Sequence, residues 1–273
     1  MSFLPYSAIF TMNIHPIAFS IGPIDIRWYG ICFATGMFLF THFFSSDKYI
    51  RPQKILFENL LSMVIACILL GAKIGYVVFY TSPKIWLKAL FALNGLSFHG
   101  GVLGACVSGY ICYKKYGVET MWTLLDRTAR WVPWSLLVGR IGNFLNSELL
   151  GRPTGLDSFG VIFPYGDRLL IPRHPSQLYE AFGEGIILGW IMYYADYHYG
   201  KHPKFLSGIF LISYGLIRLM LEYYRMPDHQ IGFLTFGLTL GQWLCICMIF
   251  AGLYVLHLLH LSQKQDLSYE NLS

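Results

Sequence analysis

Charge is what this sequence has least of: only 13% of its 273 residues are Asp, Glu, Lys or Arg. A soluble domain usually carries about 25%, and no polar block here is long enough to form one. Cysteine is scarce as well, with six residues lying in apolar segments and no CxxC or His/Cys ligand spacing. They read as small packing residues rather than disulfides, metal ligands or a nucleophile. The absence of HExxH argues against an intramembrane metalloprotease. The absence of lysine from Gly232 to His260 argues against a photoreceptor with a Schiff base in its last span. Internal repeats and paired broken helices, the marks of many transporters, are also missing. The first twenty residues lack a basic stretch followed by a compact apolar run and a cleavage site, so no removed signal peptide is expected.

Apolar residues are what the chain has most of. They make up 55% of it, with a mean hydropathy of +0.49, in runs recurring from near residue 17 to residue 261. We therefore expect one all-α, polytopic membrane domain over residues 1–273. Seven candidate spans stand at about 20–44, 55–80, 95–113, 131–147, 178–197, 205–224 and 234–260. Each is near the ~20 residues that a bilayer core of ~30 Å requires. Lys and Arg number ten in the loops of one side and seven in those of the other. The positive-inside rule then places the N-terminus outside and the C-terminus in the cytoplasm. The net charge of +5 is scattered over many short loops, which reads as topology signals plus a few functional arginines and argues against a nucleic-acid partner.

The stretch GRIGNFLNSELLG, Gly139 to Gly151, breaks the apolar pattern most sharply. An arginine at the centre of a membrane helix costs roughly 2.5 to 3.5 kcal/mol on insertion scales, so its presence calls for a function. From the charge count and a rise of ~1.5 Å per residue, Arg140 lies roughly 13 Å from the cytoplasmic end of its span. Asn143, Asn146 and Glu148 follow further outward. At ~100° per residue, Asn143 and Glu148 flank Arg140 by about 60° and 80°. A guanidinium fork with amide neighbours suits a phosphorylated polyol; the alternative is a structural pair of Arg140 with Glu148.

A second polar stripe runs along the sixth span, where Tyr214, Arg218, Glu222 and Arg225 project within roughly 80° of one another. An Arg218–Glu222 pair, four residues apart, reduces the cost of inserting both charges. His99 precedes the Gly100–Gly104 small-residue pattern of helix packing and offers a proton acceptor near neutral pH. Lys73 is an isolated intramembrane cation for which snorkelling, a carboxylate partner and a lipid phosphate all remain open. The loop at about 148–177 is rich in Gly, Pro and charge. Loops of that length are lids, binding segments or disordered.

These residues resemble the bacterial prolipoprotein diacylglyceryl transferases. The stretch from Gly139 to Gly151 fits that family's G-R-x-G-N-F-x-N-x-E-x-x-G signature at every specified position. Four further blocks stand in order: IRWYG at Ile26 to Gly30, SFHGG at Ser97 to Gly101, PRHPSQLYEA at Pro172 to Ala181, and RLMLEYYRMPDHQIG at Arg218 to Gly232. The resemblance implies an inner-membrane enzyme that moves the diacylglyceryl group of phosphatidylglycerol to the lipobox cysteine of a prolipoprotein signal peptide, releasing glycerol 1-phosphate. It implies no metal and no organic cofactor. It also implies a phosphatidylglycerol site of Tyr29, Arg140, Asn143, Asn146, Glu148, Gly151 and Glu222, with His99, Tyr214 and Arg218 as catalytic neighbours. The nucleophile belongs to the substrate, in keeping with the packing role read for this chain's own cysteines. His99 as base and the positive field of Arg218 are the two means of activating it left open.

Overall fold

A computed structural model describes residues 9–92, 95–155, 159–227 and 232–270, and the chain in it is mostly helical. Helices stand at each of the seven expected positions. The first is α1 (Trp28–Ser46) and the second α2 (Lys54–Tyr80), followed by the short α3 (Trp86–Phe91). The long α4 (Phe98–Leu145) covers the third and fourth positions, and α5 (Ser176–Glu180) runs through a π-helical turn at Ala181–Ile187 into α6 (Leu188–Tyr199). The last two are α7 (Phe205–Leu221) and α8 (Leu240–Glu270). Among the described residues, two helices are long and apolar enough to cross a membrane, the 30 residues Arg51–Tyr80 and the 25 residues Leu240–Lys264.

The structure departs from the expectation in four places, one of which is the last helix, expected over 234–260 and found from Leu240 to Glu270. Residues 114–130, expected as a loop, continue α4, which is broken only at Gly117 with a φ of 86°. Val118 to Arg130 contains no proline or glycine that would stop a helix. The first span does not begin at residue 20. A hairpin of β2 (Ile17–Ile21) and β3 (Ile24–Arg27) precedes α1, turning at Gly22 and Pro23 with Gly22 at a φ of 58°. Finally, β1 (Ile9–Thr11) pairs in parallel with β4 (Gly160–Ile162) from the long loop. These short strands add two small sheets to the helical fold.

Contacts divide the chain into two compact units, Met1–Phe44 with Thr128–Ser273, and Ser45–Arg127. In the second unit α2 meets the start of α4 through glycines. A Cβ added at Gly75 would lie 2.8 Å from Gly100 Cα, so the Gly100–Gly104 pattern serves close packing there. Lys73 donates to the carbonyls of Ala92 and Gly95, at 2.7 and 3.4 Å, and lies 5.6 Å from the Tyr76 ring. The cation thus caps the chain just after α3.

The first unit contains a core of Ala129, Leu188, Met192, Ala195 and Leu206, against which α7 packs Ile209, Tyr214 and Ile217. The π-helical turn is rich in glycine for a steric reason. A Cβ at Gly185 would lie 2.6 Å from Leu137 Cβ on α4, and one at Gly183 2.8 Å from Ile217 on α7. This segment therefore touches two helices at once, and they are the helices that carry Arg140 and Arg218.

Candidate active site

Six charged side chains of the first unit meet in one cluster. On one side of it are Arg140 from the end of α4, Arg218 from the last turn of α7, and Arg225 just beyond α7. On the other are Glu180 at the end of α5, Glu184 in the π-helical turn, and Glu222 at the C-cap of α7. Arg140 Nε and Nη2 donate to Glu184 Oε2 at 3.0 and 2.9 Å, and its Nη1 is ion-paired with Glu180 Oε2 at 2.9 Å. Arg218 Nη1 donates to Glu180 and, at 3.2 Å, to Glu184 Oε1, while its Nη2 donates to Glu222 Oε2 at 2.8 Å. Arg225 Nη1 reaches Glu180 Oε1 at 3.4 Å.

The second oxygen of Glu222 accepts from the Thr239 hydroxyl at 3.0 Å, and Gly241 beside it leaves no side chain to crowd the carboxylate. Thr239 is held in turn by Gln242, whose Oε1 accepts from the Thr239 amide at 2.9 Å. The expected Arg218–Glu222 pair is therefore present, set within a larger network. The alternative pairing of Arg140 with Glu148 is not formed: Arg140 turns to Glu180 and Glu184, and Glu148 Oε1 accepts from Asn146 Nδ2 at 3.0 Å.

Removing one member of a buried pair costs about 3–5 kcal/mol, whereas replacing the whole pair with well-packed apolar residues is often neutral or stabilising. Six clustered charges, of which the three carboxylates are buried and the arginines half-buried, are therefore a poor device for stability alone. They form a balanced set, three positive and three negative, with the arginines toward the accessible side. The Arg140 and Arg218 side chains keep 16% and 12% of their surface exposed, those of Glu180 and Glu184 only 1% and 0%.

Beside Arg140 a groove of about 320 Å³ opens between α1 and α4. Tyr29, Phe33 and Met37 line one wall at four-residue spacing, and Val132, Leu136 and Arg140 line the other. Asn143 sits at the polar end. The helices come together next to the groove at Ser135, whose hydroxyl donates to Gly36 O at 2.8 Å. The groove is thus apolar along most of its length, with a guanidinium and an amide at one end.

The Asn143 to Gly151 corner fixes that end. Helix α4 stops at Leu145, and Ser147 and Leu149 take left-handed conformations with φ of 54° and 55°. The Asn146 side chain ties the corner to α1, accepting from the Tyr29 amide at 3.0 Å. Gln177 Nε2 holds the Glu148 carbonyl at 2.5 Å. Gly151 is buried against the backbone carbonyls of His174 and Tyr224, where any Cβ would clash. Its backbone pairs with Arg225. The contribution of Gly151 is close passage of the chain.

The loop at 148–177 makes a small ordered cap over its described residues. Met12, Val161 and Phe163 form its core, with Phe144 packed against them. Arg173 exchanges backbone hydrogen bonds with Val161 at 2.8 and 3.0 Å, donates through Nε to Asp167 Oδ2 at 2.7 Å and through Nη1 to Gly151 O at 3.2 Å. The Arg173 hydrogen bond holds the Asp167 carboxyl below the usual range.

Of the residues expected from the sequence, Tyr29, Arg140, Asn143, Asn146, Glu148, Gly151, Arg218 and Glu222 are brought together in the first unit. Tyr214 lies one turn before Arg218, with its ring 5.7 Å from that of Phe210. His99 is exposed at the start of α4 and belongs to the other unit. Residues 228–231 of the last sequence block lie outside the described residues. Sequence reasoning missed Glu180 and Glu184. Their signal was available, since two acids four residues apart in an apolar span are as costly as an arginine.

Residues 16–258 match the family model described as prolipoprotein diacylglyceryl transferase. The chain is 41% identical over 255 residues to a protein of Rickettsia felis named "Phosphatidylglycerol--prolipoprotein diacylglyceryl transferase", with 89% of this chain and 96% of the relative covered. A protein of the same name from Rickettsia typhi is 42% identical over the same shares of both chains.

Proposed function

The chain belongs to the prolipoprotein diacylglyceryl transferase family, and on that premise we propose that it transfers the diacylglyceryl group of phosphatidylglycerol to the lipobox cysteine thiol of a prolipoprotein. The observation that carries the site reading is that Arg140, at the polar end of an apolar groove, shares the Glu184 carboxylate with Arg218 from a separate helix. An acyl chain lies along Phe33, Met37, Val132 and Leu136, and the phosphate meets Arg140 and Arg218, with Asn143 toward the glycerol hydroxyls.

The reaction needs a thiolate, a carbon to attack and a stabilised leaving group. A free thiol has a pKa near 8.5, so only a few per cent is ionised at pH 7 without help. The arginines on the accessible side of the cluster favour the thiolate; the alternative, carried by the family resemblance alone, is His99 as the acceptor of its proton. The sulfur attacks the glyceryl carbon that bears the phosphate ester, the carbon–oxygen bond breaks, and glycerol 1-phosphate departs with one more negative charge than the diester had. Charge-assisted hydrogen bonds to that developing charge are worth about 1.5–3 kcal/mol each. Tyr214 borders Arg218, and Glu222 and Asn146 hold the arginine and the corner in place.

In this reading the enzyme is a single domain embedded in the bacterial inner membrane. It has seven spans, an extracytoplasmic cap at 148–177, and lipid and signal peptide as its partners. Arg140→Ala and Arg218→Ala test the site. Each is expected to insert and fold while losing about 10²–10³-fold in kcat, the loss typical for one donor to a developing anion. Full activity in either variant rejects the role given to that arginine.

A further inference from the structure

We infer that Glu180 and Glu184 are positioning residues for the transfer, two carboxylates that hold Arg140 and Arg218 at one spacing so that both guanidinium groups address a single phosphate. The inference rests on the phosphate placement proposed above. Each glutamate contacts both arginines, one on α4 and the other on α7. No other carboxylate among the described residues joins the two helices in this way.

The arrangement has an inside and an outside. The glutamates are closed off, with 1% and 0% of their side chains exposed, while the arginines in front of them retain 16% and 12%. A substrate approaching the cluster therefore meets guanidinium, and the carboxylates act only through it. Each guanidinium has five N–H donors and makes three contacts with carboxylates. About two N–H groups on each remain for a further acceptor. Two planar forks held by shared anchors behind them are preorganised for the oxygens of one phosphate.

The backbone supports the same reading. The π-helical turn starts at Ala181, directly after Glu180, and contains Glu184. Its wider coil changes the direction of Glu184 relative to Glu180 from that of a regular helix, and such turns recur at functional sites. Gly183 and Gly185 bring it against α7 and α4.

Positioning has a kinetic signature of its own. Neutralising one glutamate leaves the cluster more positive, so an anionic lipid binds at least as well, but the arginines lose their fixed spacing. Glu184→Gln and Glu180→Gln, assayed in mixed micelles of phosphatidylglycerol with a lipobox peptide, are expected to lower kcat about 100-fold. The KM for phosphatidylglycerol is expected to stay the same or fall. A raised KM with kcat intact would overturn the inference, because the carboxylate would then be serving affinity. So would wild-type kinetics, or a smaller yield of folded protein whose kcat per folded molecule is unchanged. Where Glu184→Gln fails to fold, Glu184→Asp keeps the charge and withdraws it by one methylene. A tenfold fall in its kcat supports the inference, and a wild-type kcat overturns it. An inactive Arg140→Ala beside a fully active Glu184→Gln rejects the positioning role alone. An active Arg140→Ala rejects the phosphate placement on which that role rests.

Discussion

At the scale of single residues, cost was the legible quantity. Arg140, Arg218 and Glu222 stand out in the sequence because each is expensive in an apolar helix, and all three are in the cluster. Their partners were harder to read. The Arg218–Glu222 contact is local, four residues apart, whereas Arg140 meets Glu184 across 44 positions of sequence. Helical geometry alone offered Arg140 only Glu148. A further pair is Asp167 with Arg173 in the cap, and it makes a pH prediction. The folded Asp167 carboxyl ionises at lower pH than an unfolded one. Its stabilisation is therefore complete above the ordinary aspartate pKa and is lost as pH falls through the lowered folded value. Asp167→Asn is expected to cost about 1.5–3 kcal/mol near neutrality. Thermal unfolding followed against pH checks this: the gap between variant and parent should close on acidification, and a constant gap rejects the assignment.

Among elements, the helical character of the apolar segments was legible because long apolar runs announce themselves, whereas the union of the third and fourth in α4 was not. Their ends were not. The hairpin at Ile17–Arg27 and the β1–β4 pair are three to five residues per strand, too short for alternation to separate them from the apolar runs around them. The π-helical turn has no signature except glycine, and its glycines matter unequally. At Gly185 an added methyl meets the Leu137 Cα at 2.9 Å as well as its Cβ, so helix α4 itself must move. At Gly183 it meets only the ends of Ile217 and Leu221, which can rotate away. Overpacking of this kind costs about 1–3 kcal/mol. Gly185→Ala is thus expected to lose more activity and a larger part of its melting temperature than Gly183→Ala. Equal effects would show that the approach of this turn to α4 does not set the arginine spacing.

For the whole molecule, the charge asymmetry of the loops and the depth of the arginines make one connected account. In the proposed topology, with the N-terminus outside, the corner at Asn143 to Gly151 and the end of α7 both face the side on which we propose that the lipobox cysteine is presented. A reporter active only in the periplasm, fused after Ser273, is expected to be silent, and a bright one inverts the depth argument. The central claim is chemical and is tested most directly by reconstitution. Purified protein is given phosphatidylglycerol and a peptide carrying one lipobox cysteine, and both products are followed by mass. The account predicts a diacylglyceryl thioether on that cysteine and an equal amount of glycerol 1-phosphate. Folded protein that forms neither, with both substrates shown to be accessible, would contradict it.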